Sequence, residues 1–88
     1  MADNLTTTNV AIVEDDSVLR NSLEWLINET AGFRCVCACP AGEDAARRLP
    51  ELRPQVVLMD LNLPDISGTE CIRQLKERLP KLHVIVLT

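Results

Sequence analysis

Apolar positions in this chain fall into two kinds of run. Four runs are short and nearly continuous: Val10-Ala11-Ile12-Val13, Arg34–Cys39, Gln55–Met59 and His83-Val84-Ile85-Val86-Leu87. Runs of that length are read as strands buried on both faces. Between them the apolar residues recur at helical spacing. The first helix is predicted from Val18 to about Thr30, with Val18, Leu19, Ser22, Leu23, Leu26 and Ile27 on one stripe. Arg20, Asn21, Glu24 and Asn28 face outward, and Trp25 lies at the stripe's margin as a packing residue. Asp16 or Ser17 caps its start and Gly32 stops it. A short second helix over Glu43–Leu49 turns Ala45, Ala46 and Leu49 inward; Pro50 does not exclude a further turn, but together with Pro54 it predicts a break at the helix end. A loop holding Pro64 and Gly68 leads to a third helix over Thr69–Arg78, with Cys71, Ile72, Leu75 and Leu79 inward. Residues 1–9 are polar, include Thr6, Thr7 and Thr8, and form a flexible lead-in.

Strands that alternate with helices of crossover length predict an α/β domain over residues 10–88. The strands form a parallel sheet, and right-handed crossovers place helices on both of its faces. At 88 residues the chain has room for one domain. A hydrophobic fraction of 47% is that of a globular protein, which excludes extensive disorder. Net charge is −4 and the nine basic residues form no run, so nucleic-acid binding by this chain alone is not expected. No apolar stretch approaches the roughly 20 residues of a membrane span, and the first nine residues are too polar for a signal peptide. A cytoplasmic location, away from membranes, is the expectation.

Three of the four cysteines alternate as Cys35, Cys37 and Cys39. On one face of a strand such residues are about 6.5–7 Å apart, too far to share a tetrahedral zinc. Neighbouring members also cannot form a disulfide while the strand stays extended. They are read as small buried apolar side chains, and so is Cys71.

Two of the predicted strands run straight into carboxylates. Val10–Val13 ends at Glu14-Asp15-Asp16, and the third strand ends at Asp60. A parallel sheet brings those ends to one edge, where open α/β sheets bind ligands. Converging carboxylates repel one another, and nothing basic stands beside them in sequence. A divalent cation would invert that balance. Magnesium takes oxygen ligands and is satisfied by one or two protein carboxylates, a demand that Glu14, Asp15 and Asp60 meet. A carboxylate beside a cation can also act as nucleophile toward a phosphoryl donor. Thr88, at the end of the fourth strand, could hydrogen-bond a phosphoryl oxygen. The plainer alternative is that acids after strands are solvated loop ends or caps, and Asp16 is assigned to a cap. Topology alone leaves both readings open for the other three.

The chain closely resembles the receiver (CheY-like) domain of two-component response regulators. The residues that carry the resemblance are Val10-Ala11-Ile12-Val13-Glu14-Asp15-Asp16, Val57-Leu58-Met59-Asp60-Leu61-Asn62-Leu63-Pro64, Ser67-Gly68 and Val84-Ile85-Val86-Leu87-Thr88. It covers residues 9 to 88. The wording from Asp60 to Gly68 is most similar to regulators with a LuxR-type helix-turn-helix output domain. The resemblance implies a flavodoxin-like, doubly wound sheet in the order 2-1-3-4. It implies that Asp60 is the phosphoacceptor, served by a sensor histidine kinase. It implies Mg2+ bound by Asp15 and Asp60, by Glu14 directly or through water, and by the backbone carbonyl of Asn62. Thr88 becomes the switch hydroxyl, Pro64 and Gly68 shape the loop after the acceptor, and His83 lies far from the chemistry.

A complete receiver continues with a fourth helix, a fifth strand and a fifth helix, which carry the family's lysine and aromatic switch residue. The sequence stops at the fourth strand, so a partial domain is expected, controlling an output domain outside this chain. Self-association is expected through the exposed fourth strand or the uncovered sheet face. The alternative is a binding module that no longer signals by phosphorylation. An aspartate-nucleophile phosphatase is disfavoured, because such enzymes resemble Asp-x-Asp whereas Asn62 stands two residues after Asp60.

Overall fold

The computed structural model describes residues 6–87. Its elements are β1 (Thr8–Val13), α1 (Ser17–Asn28), β2 (Phe33–Cys39), α2 (Gly42–Leu52), β3 (Val56–Asp60), α3 (Gly68–Arg78) and β4 (His83–Leu87). The strands form one parallel sheet in the order β2-β1-β3-β4. β1 is central because its run is apolar on both faces: Val10, Ala11, Ile12 and Val13 are all buried.

One face carries the main core. Ala11, Val13, Cys37, Cys39, Val57 and Met59 of the sheet pack against Ala45 and Leu49 of α2 and Cys71 and Leu75 of α3. Full burial of each large apolar side chain there contributes about 1.5–3 kcal/mol. The other face is covered differently. Val10 and Ile12 point to it by strand alternation, and α1 packs there on β1 and β2.

Here the expected stripe of α1 is corrected. No residue of that helix is buried, and Val18, Leu19, Trp25 and Leu26 are exposed. Trp25, expected to pack, is 66% exposed. The half-buried positions are Arg20, Leu23, Glu24 and Ile27, one helical face centred nearer the polar side. The reason is the width of the platform. α1 rests on two strands only, so the outer part of its apolar stripe has no described partner.

Other differences are at boundaries. Of the flexible lead-in expected over residues 1–9, residues 1–5 lie outside the described residues, while Thr8 and Asn9 are strand. Thr8 N–H donates to the Gly32 carbonyl at 2.8 Å, and Asn9 exchanges bonds with Gln55, which extends β1 backward. The break expected after Leu49 does not occur. α2 runs through Pro50 to Leu52 and ends at Arg53, whose left-handed φ of 51° caps it. A proline so near a helix end disturbs only the last turn, and the Arg53 N–H still reaches the Leu49 carbonyl at 2.8 Å. In β2 the register slips between Val10 and Ala11, which pair with Cys35 and Cys37, so Val36 forms a bulge. Cys37, Cys39 and Cys71 are buried and Cys35 half-buried, all as free thiols. The Cys37 and Cys39 sulfurs lean together to 3.1 Å, well beyond the ≈2.05 Å of a disulfide.

Candidate functional site

The carboxyl edge of the sheet is built by the ends of β1 and β3. β1 runs into Glu14, whose N–H donates to the Cys39 carbonyl at 3.0 Å, tying the acid to the end of β2. The next turn folds back on itself. Asp16 N–H donates to Glu14 Oε2 at 3.1 Å, and the Asp16 carboxylate caps α1 through Val18 N–H and Leu19 N–H at 2.9 and 3.3 Å. The cap assignment for Asp16 therefore holds. Arg20, predicted to face outward, instead reaches back to donate to the carbonyls of Glu14 and Asp15 at 2.8 and 3.3 Å. It holds the acidic turn by its backbone and leaves the carboxylates unpaired. Its sequence signal was faint: a lone cation in the first turn of a helix that follows an acidic run.

Asp60 closes β3 in register with Leu87 of β4. Carboxylate oxygens of Glu14, Asp15 and Asp60 lie within 4.8 Å of one another. Glu14 is buried at 5% exposure, Asp60 is half-buried and Asp15 is exposed. Burial pushes the Glu14 carboxyl above its ordinary range, opposed by the Asp16 N–H and reinforced by the charge on Asp60. Asn62 N–H donates to Asp60 Oδ1 at 3.0 Å, which fixes the carboxylate's orientation. Asn62 thus sits at the site through its backbone. Thr88 lies outside the described residues. His83 opens β4 at the far end of the sheet from these acids.

The loop after Asp60 is held by two devices. Gly68 N–H donates to the Leu61 carbonyl at 3.0 Å, and a Cβ on Gly68 would stand 2.4 Å from the Asp60 carbonyl oxygen. Asp65 spans the loop to α2, accepting from Gly42 N–H at 3.0 Å and Glu43 N–H at 2.7 Å. The Glu43 N–H, with other backbone donors, lowers the Asp65 pKa. Asp65 thus caps a helix more than twenty residues earlier, and no local pattern could have shown it.

The arrangement can hold a hard cation. Its donors are oxygens, they come from two strand ends, and no described lysine, arginine or histidine side chain pairs with them. Burial in particular disfavours the ionised form of Glu14, a cost that a cation would relieve.

Known proteins share the sequence pattern and the fold. Residues 10–88 match the family model described as the response regulator receiver domain. The chain is 34% identical over 79 residues to the response regulator GacA of Pseudomonas aeruginosa, covering 90% of this chain and 37% of that protein. It is 38% identical over 79 residues to the transcriptional regulatory protein YdfI of Bacillus subtilis, with the same coverage of each. Among solved structures it superposes on a DNA-binding response regulator of the LuxR family from Staphylococcus aureus. The TM-score is 0.82 at 28% identity, over 90% of this chain and 66% of that one. The chain spans about a third of the length of these two curated relatives.

Proposed function

This chain belongs to the response regulator receiver domain family, and from that membership we propose that Asp60 accepts the phosphoryl group in a two-component signalling module. One observation carries the assignment: the Asp60 carboxylate stands half-buried among Glu14 and Asp15 with no cation paired to it among the described residues. Asp15 and Asp60 would hold Mg2+ directly, Glu14 would do so directly or through water, and the Asn62 carbonyl would complete the protein ligands. When bound, the ion neutralises the acceptor carboxylate and the phosphoryl oxygens.

The remaining chemistry belongs to the side chains. The Asn62 N–H holds Asp60 Oδ1, which leaves the other oxygen as nucleophile toward the phosphohistidine of a sensor kinase. The new P–O bond forms as the P–N bond breaks, and the departing imidazole nitrogen takes a proton from water. The Thr88 hydroxyl then bonds a phosphoryl oxygen and reports the change. The event is a single acceptance rather than enzymatic turnover. It takes place in the cytoplasm and controls a transcriptional output domain outside this chain. No helix among the described residues is long and apolar enough to cross a membrane.

Mass spectrometry after incubation with acetyl phosphate and Mg2+ tests the proposal. An acid-labile phosphoryl adduct on Asp60, absent from Asp60→Asn, is the expected result. No adduct in the presence of saturating Mg2+ overturns it.

A further inference from the structure

The basic residues of this acidic chain are not spread at random. Of its nine lysines and arginines, Arg47, Arg48 and Arg73 form ion pairs with Asp44, Glu70 and Glu77. Arg20 and Lys76 donate to backbone carbonyls. The side chains of the other four, Arg34, Arg53, Arg78 and Lys81, make no hydrogen bond or ion pair among the described residues. All four lie toward the amino-terminal edge of the sheet, opposite the acidic cluster. Three of them, with the single histidine His83, line one cleft of about 430 Å³ between the α2–β3 and α3–β4 connections. No carboxylate lines it.

The walls of this cleft are held by the fold. Gln55 bonds the backbone of Asn9 with both its side chain and its N–H, and its carbonyl accepts from His83 N–H at 3.0 Å. Lys76 clamps the opposite wall, donating to the carbonyls of Pro80 and Leu82 at 2.9 Å each. Arg53 is presented by the left-handed cap of α2. Buried Pro54 and Leu82 give the cleft an apolar floor beneath the cationic rim.

We propose that this cleft binds a small phosphorylated molecule with a planar apolar portion, a nucleotide in chemical class. Its volume lies in the range of small-ligand pockets, which pair apolar walls with a few placed polar groups. Two guanidinium forks and an ammonium suit phosphate oxygens. The prolyl and leucyl floor and the His83 ring suit a base. A bare phosphate would leave that floor wet, and three cations around a short concave cleft cannot follow a nucleic-acid backbone. At about 3.3 Å per residue along β3 the cleft is separated from Asp60 by the length of the sheet.

Calorimetric titration of the chain with ATP in EDTA tests this, because the chelator removes any cation-mediated binding at the acidic edge. Binding is expected in the millimolar range or tighter, tighter than that of tripolyphosphate. Arg53→Gly/Arg78→Ala should weaken it by about fivefold or more, while Asp60→Ala leaves it unchanged. Glycine suits the left-handed position of Arg53, and circular dichroism checks that the variant is folded. If it is not, Lys81→Ala on the exposed connection serves, with a smaller loss expected. No binding at millimolar ATP, equal affinity for tripolyphosphate, or insensitivity to these substitutions overturns the proposal.

Discussion

Gly68 is packed so tightly beneath Asp60 that a methyl group in its place would lie 2.4 Å from the Asp60 carbonyl oxygen and 2.5 Å from Leu61 Cα. Both neighbours are backbone, so neither can swing aside. Gly68→Ala must therefore move the end of β3 and the start of α3 apart. We expect a loss of about 1–3 kcal/mol in unfolding free energy, typical of overpacking. A weakened Mg2+ affinity should accompany it, because Asp60 moves with its backbone. Urea unfolding and a Mg2+ titration of the same variant check both outcomes. Unchanged values would show that the loop yields more easily than its contacts imply.

The pH dependence of stability should carry the signature of Glu14. In the unfolded chain this carboxyl ionises near 4.5; in the fold burial, reinforced by the Asp60 charge, keeps its proton on to higher pH. Across that window the native state binds more protons than the unfolded one, so Glu14's contribution falls as pH rises through it. Above the folded pKa the penalty is complete. In EDTA, Glu14→Gln should gain stability over the parent chain as pH rises from 4.5 toward neutrality. Saturating Mg2+ should shrink that difference or reverse it. Urea midpoints at several pH values would show whether the two curves diverge.

Asp65 stabilises α2 from across the loop, so its removal should be felt at a distance. Asp65→Ala leaves the N–H groups of Gly42 and Glu43 without their acceptor and should lower the unfolding midpoint. Asp65→Asn, which keeps an acceptor oxygen, should recover part of it. The sign with pH is opposite to that of Glu14. The folded pKa lies below the ordinary 3.8, so the stabilisation is complete above that value and is lost as pH falls through the folded pKa. Hydrogen exchange at Gly42 and Glu43 reads the cap directly.

β4 is an edge of the described sheet, and its Ile85 and Val86 side chains are 52% and 43% exposed. An unpaired apolar edge is a template for another strand. The chain as given should therefore show a mass that rises with concentration in light scattering. Ile85→Lys should reduce it, since a charge on the strand opposes pairing. A concentration-independent monomer in the parent chain would refute this.

What could be read from the residues differs by how local each determinant is. The strands of β1, β3 and β4 were legible because their apolar runs are continuous, and those of β1 and β3 end at carboxylates. The cap of α1 by Asp16 lies within three residues of its partners, and so it too was legible. The acidic edge was legible because parallel strands bring their carboxyl ends together whatever the details of packing. The inward face of α1 was misjudged because periodicity shows where a stripe lies, and not how much of it the sheet is wide enough to cover. The end of α2 lies three residues beyond the expected Leu49 because the rule against proline weakens in a helix's last turn, which leaves a further turn after Pro50 open.

By itself, then, the order of apolar and acidic residues determined a parallel α/β sheet and the meeting of Glu14, Asp15 and Asp60. Only the tertiary structure decided how those acids are held. The Cys39 carbonyl holds the Glu14 N–H from the end of a neighbouring strand, Asp65 caps a helix over twenty residues away, and Gly68 admits no side chain beneath Asp60. Only the fold gathered Arg53, Arg78 and Lys81 into one cleft. The physical reason is range. Hydrogen bonds and repulsion within a few residues are written into the local pattern. Contacts between residues far apart exist only once crossover connections have brought their strand ends together.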